Sequence, residues 1–98
     1  MRPIYERLIS AVKQFGADVE IAPRKEDVSL RRHRQFAVIH PTSKRVDVGL
    51  VLPRTPPAGR LESAANFNAM FTHRVRVSTL REVDAELTRW LRAAYDGN

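Results

Sequence analysis

The chain has 98 residues, which is room for one domain with one modest core and excludes a second. Seventeen Lys and Arg against eleven Asp and Glu give a net charge of +6, a balance that favours anionic partners or simply solubility. A hydrophobic content of 43% excludes global disorder, and the lack of cysteine excludes disulfides, cysteine-ligated zinc, iron–sulfur clusters and thiol catalysis.

The opening stretch MRPIYERLISAVKQFG reads as a helix. Pro3 suits a first turn, Ile4, Leu8, Ala11, Val12 and Phe15 share one face, and Gly16 offers a stop. Glu6, Arg7, Ser10, Lys13 and Gln14 interrupt its apolar residues, so it lacks the continuous apolar core of a signal peptide. No apolar run approaches the roughly 20 residues needed to span a bilayer. A cytoplasmic location without membrane association is therefore the expectation.

Asp18 to Ala22 alternates and is ended by Pro23, as a short strand at a sheet edge would be. Val28 and Leu30 alternate with Ser29 and Arg31, and after the basic turn RRHR the run QFAVIH is rich in strand formers. His40 to Lys44 is a turn by composition. Arg45 to Leu52 is the clearest strand. Val46, Val48, Leu50 and Leu52 recur at period two, so they should be buried, with Arg45 and Asp47 exposed on the other side.

PRTPPAG, residues 53 to 59, cannot propagate a ladder because its prolines remove amide donors, and it is expected to be a loop. Leu61 to Phe71 has the composition of a short helix weakened by Asn66 and Asn68. His73, Val75 and Val77 alternate with Arg74 and Arg76 as a last strand. Thr79 with Glu82 three residues later is a capping box, and Leu80, Val83, Leu87, Trp90, Leu91 and Ala94 then line one face of a terminal helix reaching Tyr95. Leu87 and Trp90 should be central to the core.

This order predicts a single α+β domain over residues 1–98, an antiparallel sheet of four or five strands with the N- and C-terminal helices packed on one face. The opening helix closing in FGADVE, the run VSLRRHRQFAVIHPTSKRVDVGL, then MFTHRVRV and VDAELTRWLRAAY together resemble the small bacterial domain-of-unknown-function family numbered 5655, across nearly the whole chain. The resemblance implies a small α+β domain, sometimes joined to others in longer proteins. It carries no catalytic residue over to this chain.

The face opposite the helices would carry Arg45, Asp47, Arg74 and Arg76, with Arg31 near them. Guanidinium forks in such a patch suit phosphate or carboxylate. A solvated face on which Asp47 simply pairs with an arginine is the more ordinary fate of these residue types. Arg24, Lys25, Arg31, Arg32, His33, Arg34, Lys44 and Arg45 add charge at turns, but no recognition helix, aromatic RNA-binding pattern or Cys/His finger accompanies them.

His33, His40 and His73 lack metal-ligand spacing, and no metal or other cofactor is expected. His73 shares the inward parity of Val75 and Val77, which makes it either a satisfied structural histidine or, with Asp47, the centre of an uncharacterised enzyme. No nucleophile elbow, P-loop or zinc-protease motif supports catalysis. Phe67, Met70, Phe71, Trp90 and Tyr95 are either core or surplus apolar surface for a partner. The expected function is therefore non-enzymatic binding of an anionic ligand, nucleic acid included, or of a protein partner. A protein-interaction or homodimerisation module is the alternative.

Overall fold

The computed structural model describes residues 2–64 and 70–97. Helix α1 spans Arg2–Lys13 and is followed by strands β1 (Glu20–Pro23), β2 (Val28–Arg31), β3 (Gln35–Pro41), β4 (Val46–Leu50), β5 (Glu62–Ser63) and β6 (His73–Val77). A 3-10 turn at Leu80–Glu82 leads into helix α2, Ala85–Asp96. All six strands form one antiparallel sheet in the order β1-β2-β3-β4-β6-β5. The sequence leads one to expect four or five; the extra strand is two-residue β5, too short to show an alternating pattern.

Period-two patterning fixes which face meets the helices. Val48 pairs with both Ile39 and Val75, and Leu50 with both Ala37 and His73, so one face presents a continuous apolar row. Ile4, Leu8 and Val12 of α1 and Leu87, Leu91 and Ala94 of α2 pack on it. Both helices therefore lie on one side of the sheet, as the sequence predicts. Pairing advances from Leu30 opposite Ala37 to Arg31 opposite Gln35, leaving Phe36 as an extra residue in β3. This bulge turns Phe36 onto the helix side, where its ring meets Tyr95 edge-on at 5.7 Å.

The opposite face is only partly open. Val38 packs there with Ala64 and Phe71, contributed by the excursion that leaves β4 and returns as β6. All five residues of β4 are buried, and the expected exposure of Asp47 is overturned: it is 4% exposed, paired with Arg45 and flanked by His40 and Arg76 on the neighbouring strands. Val46, Val48, Leu50 and Leu52 are buried as their spacing predicts.

Two further expectations need correction. The stretch expected as a short helix over 61–71 begins instead with β5, and 65–69, Phe67 included, lie outside the described residues. The terminal helix starts later than the capping box suggests. Glu82 accepts the backbone N–H groups of Ser78 and Thr79 at 2.7 and 2.9 Å, but this closes only the 3-10 turn. Val83 leaves helical geometry, and Asp84 caps α2 by accepting the Leu87 N–H at 3.0 Å. Trp90 is half-buried at the core's margin, with Arg60 over its ring, and Leu87 is fully buried.

Candidate functional site

Cross-strand pairing gathers the arginines that the sequence singles out. Asp47 lies opposite His40 on one side and Arg76 on the other, while Gly49 lies opposite Val38 and Arg74. Arg74 is in turn opposite Glu62 of β5. Arg45, Asp47, Glu62, Arg74 and Arg76 thus share the sheet face away from the helices. Arg45 Nε donates to Asp47 Oδ1 at 2.7 Å, and one oxygen of Glu62, Oε1, accepts from Arg74 Nε and Arg76 Nε at 2.9 Å each. Three guanidinium groups converge on two carboxylates.

Burial alone would push the Glu62 carboxyl up, but the hydrogen bonds from Arg74 and Arg76 outweigh it and hold the group below the usual carboxylate range. Among the three arginines of the patch, side-chain exposure runs from 17% at Arg74 to 51% at Arg76. Arg45 is half-buried over Asp47. The patch therefore has a fixed floor and an open outer rim. Arg31, at the end of β2, is exposed and outside this ion-pair network.

His73 and Asp47 are not brought together. Alternation puts Asp47 on the arginine face and His73, opposite Leu50, on the helix face. Both imidazole nitrogens are engaged. Nε2 lies 2.9 Å from the Thr55 carbonyl oxygen, which only accepts, so Nε2 carries the hydrogen. Nδ1 is 2.6 Å from Thr72 Oγ1, which also accepts the Leu52 N–H at 2.7 Å. His73 thereby ties the proline-rich loop to β6. Arg54, beside Thr55, has a φ of 66°, a left-handed backbone that is strained for a residue with a Cβ.

A second polar cluster is not legible in the sequence. The Tyr95 hydroxyl donates to Asp18 Oδ1 at 2.5 Å, and Arg32 Nε donates to Asp18 Oδ2 at 2.8 Å. The Arg32 guanidinium also stands 4.4 Å over the Tyr95 ring. The hydrogen bonds from Tyr95 and Arg32 hold the Asp18 carboxyl below its usual range, and the same bond to Asp18, with burial, pushes the Tyr95 hydroxyl up. These side chains lock the end of α2 against the α1–β1 and β2–β3 connections, a structural task. Their sequence separations of 14 and 77 residues leave no local signal.

No group of three or more His, Asp or Glu side chains among the described residues is placed to hold a metal ion. No helix among them is long and apolar enough to cross a membrane. Over residues 1–98 the sequence matches the model of a family described as a domain of unknown function, DUF5655. The chain belongs to that family. No curated protein and no solved structure matches it. The whole sheet and both helices lie within the match, so the arginine face is part of this DUF5655 domain rather than of an appended segment.

Proposed function

We propose that this DUF5655 domain is a non-enzymatic binding module that takes an anionic partner on the sheet face bearing Arg45, Arg74 and Arg76. The observation that carries this reading is the sharing of Glu62 Oε1 by two arginines beside a third that is held by Asp47. Three planar forks against two carboxylates leave one positive charge in excess, and Arg76, bound to Glu62 through Nε, turns its terminal amines to the open rim. An incoming phosphate or carboxylate can add to that rim or displace Glu62, an internal anion on the two-residue edge strand β5. His73, with both nitrogens spent in holding a loop, has no part in this reading.

A polyanion such as heparin or duplex DNA probes the face, with fluorescence anisotropy followed across a salt series. Arg76→Ser should lower affinity and reduce the salt slope, by about 0.9 in log K against log salt for each DNA phosphate that is no longer neutralised. Glu62→Gln should strengthen binding by removing the competing carboxylate. Slopes identical for the parent chain and Arg76→Ser would assign polyanion binding to the basic turns instead.

The interaction-module reading has its own support. Strand β1 is at the sheet edge with one side unpaired by any described strand, and Met70 is 69% exposed. Mass that rises with protein concentration, with no polyanion binding at low salt, would put that reading first.

A further inference from the structure

The buried apolar side chains of α1 and α2 pack on the sheet, and a groove along the two helices is lined mainly by polar side chains. Arg7, Ser10, Ala11 and Gln14 of α1 and its C-terminal turn face Thr88 and Arg92 of α2, bounding a groove of about 430 Å³ with Phe15 in its wall. The spacings 7, 10, 14 and 88, 92 are those of neighbouring positions on a helix face. Two packed helices more often meet there through apolar side chains interdigitating as ridges and grooves. Here Arg7, Ser10, Gln14, Thr88 and Arg92 bring hydrogen-bond donors to the groove beside Ala11 and Phe15, and no carboxylate lines it.

Those donors are largely unspent. Among the described residues, the side chains of Arg7, Ser10 and Gln14 make no hydrogen bond or ion pair. Arg92 is different, because it is held in place: its Nε donates to Asp96 at 3.2 Å, and its guanidinium stands 5.5 Å over Phe15 and 5.8 Å over Tyr95. Only Nε is used, so both terminal amines of a planar fork held at the Phe15 end of the groove remain available.

We infer that the groove between α1 and α2 binds a phosphoryl group, as free phosphate or as a small phosphate monoester, between Arg7 and Arg92 with Ser10 and Gln14 as further donors. Two guanidinium groups with neutral donors and no lining carboxylate suit a compact, multiply charged tetrahedral anion better than a single carboxylate. The volume exceeds what phosphate alone fills, leaving space for a small organic substituent beside Ala11 and Phe15. This site is on the helix side of the sheet and is independent of the arginine face proposed above.

The test is a titration of the isotopically labelled protein at low ionic strength with inorganic phosphate and, separately, ribose 5-phosphate, followed by amide chemical shifts. Saturable shifts centred on residues 7–15 and 88–92 are expected. Arg7→Gln should weaken binding about tenfold, the effect of removing one charge-assisted hydrogen bond. Ser10→Glu should abolish binding by placing a carboxylate in the groove. Both positions are exposed, so each variant should retain the parent spectrum elsewhere. Arg76→Ser should leave the affinity unchanged, which separates this site from the sheet face. Tighter binding of the sugar phosphate would identify an organic phosphate as the occupant, and equal affinities free phosphate; both support the site. Non-saturating shifts, affinity unaltered by Arg7→Gln, or affinity abolished in Arg76→Ser would overturn it.

Discussion

Gly16 shows how one position can be dictated by a residue far along the chain. A Cβ built there would collide with the Tyr95 hydroxyl and come within 2.9 Å of Asp18 Oδ1, the two atoms whose hydrogen bond locks α2. Gly16→Ala should therefore destabilise by roughly 1–3 kcal/mol, the usual cost of overpacking a fitted site. Tyr95→Phe removes the hydroxyl, so the cost of Gly16→Ala measured in a Tyr95→Phe background should be much smaller. Four denaturation curves check that coupling, and additive costs would contradict the steric account. The sequence shows Gly16 only as a helix stop, because nothing local encodes the arrival of Tyr95. Burial of Asp47 is equally hidden: its parity is legible, but its pairing with Arg45 and its place between His40 and Arg76 depend on strand neighbours that no local pattern announces.

At the scale of elements, patterns legible in the sequence are those set by neighbours in the chain. The strands β2, β3, β4 and β6 fall within the stretches that alternation marks, and α1 where apolar spacing does, although β3 runs on through His40 and Pro41 of the expected turn and β4 ends at Leu50 rather than Leu52. The start of α2 escapes such a reading because Thr79 and Asp84 are both competent caps five residues apart, and only buried Val83 between them breaks the helix. Arg60 then reaches across from the loop before β5, with its terminal amines 3.2 Å from both oxygens of Asp84. The Asp84 carboxylate thus serves the α2 cap and the loop together. Leu87, in the first turn of α2, is fully buried in the core, and Leu87→Ala should cost about 2–5 kcal/mol. For a domain of this size each kcal/mol moves the melting temperature by about 4–8 °C. A melting curve unchanged by this substitution would remove α2 from the core.

Across the whole molecule, charge does two kinds of work, and pH separates them. Asp18, Glu62 and Glu82 are each held below the ordinary carboxylate range, by Tyr95 and Arg32, by Arg74 and Arg76 against burial, and by the Ser78 and Thr79 amides respectively. A depressed carboxyl means that the unfolded chain binds the proton more tightly than the native one. The stability it contributes is complete above the unfolded values, near 4, and is lost as pH falls through the lowered native ones. Tyr95 has the opposite sign: its raised value makes the native state the tighter proton binder, so its contribution is complete below about 10 and is lost as pH rises through the native value. The melting temperature should therefore be flat from about pH 5 to 9 and fall on both sides. Asp18→Asn should weaken both limbs, since Asp18 is depressed by Tyr95 and Tyr95 raised by Asp18, whereas Glu62→Gln should weaken the acid limb alone. Thermal denaturation of the parent chain and both variants across that range checks this. An alkaline limb unchanged in Asp18→Asn would show that the bond between Asp18 and Tyr95 does not set the alkaline limit of the fold.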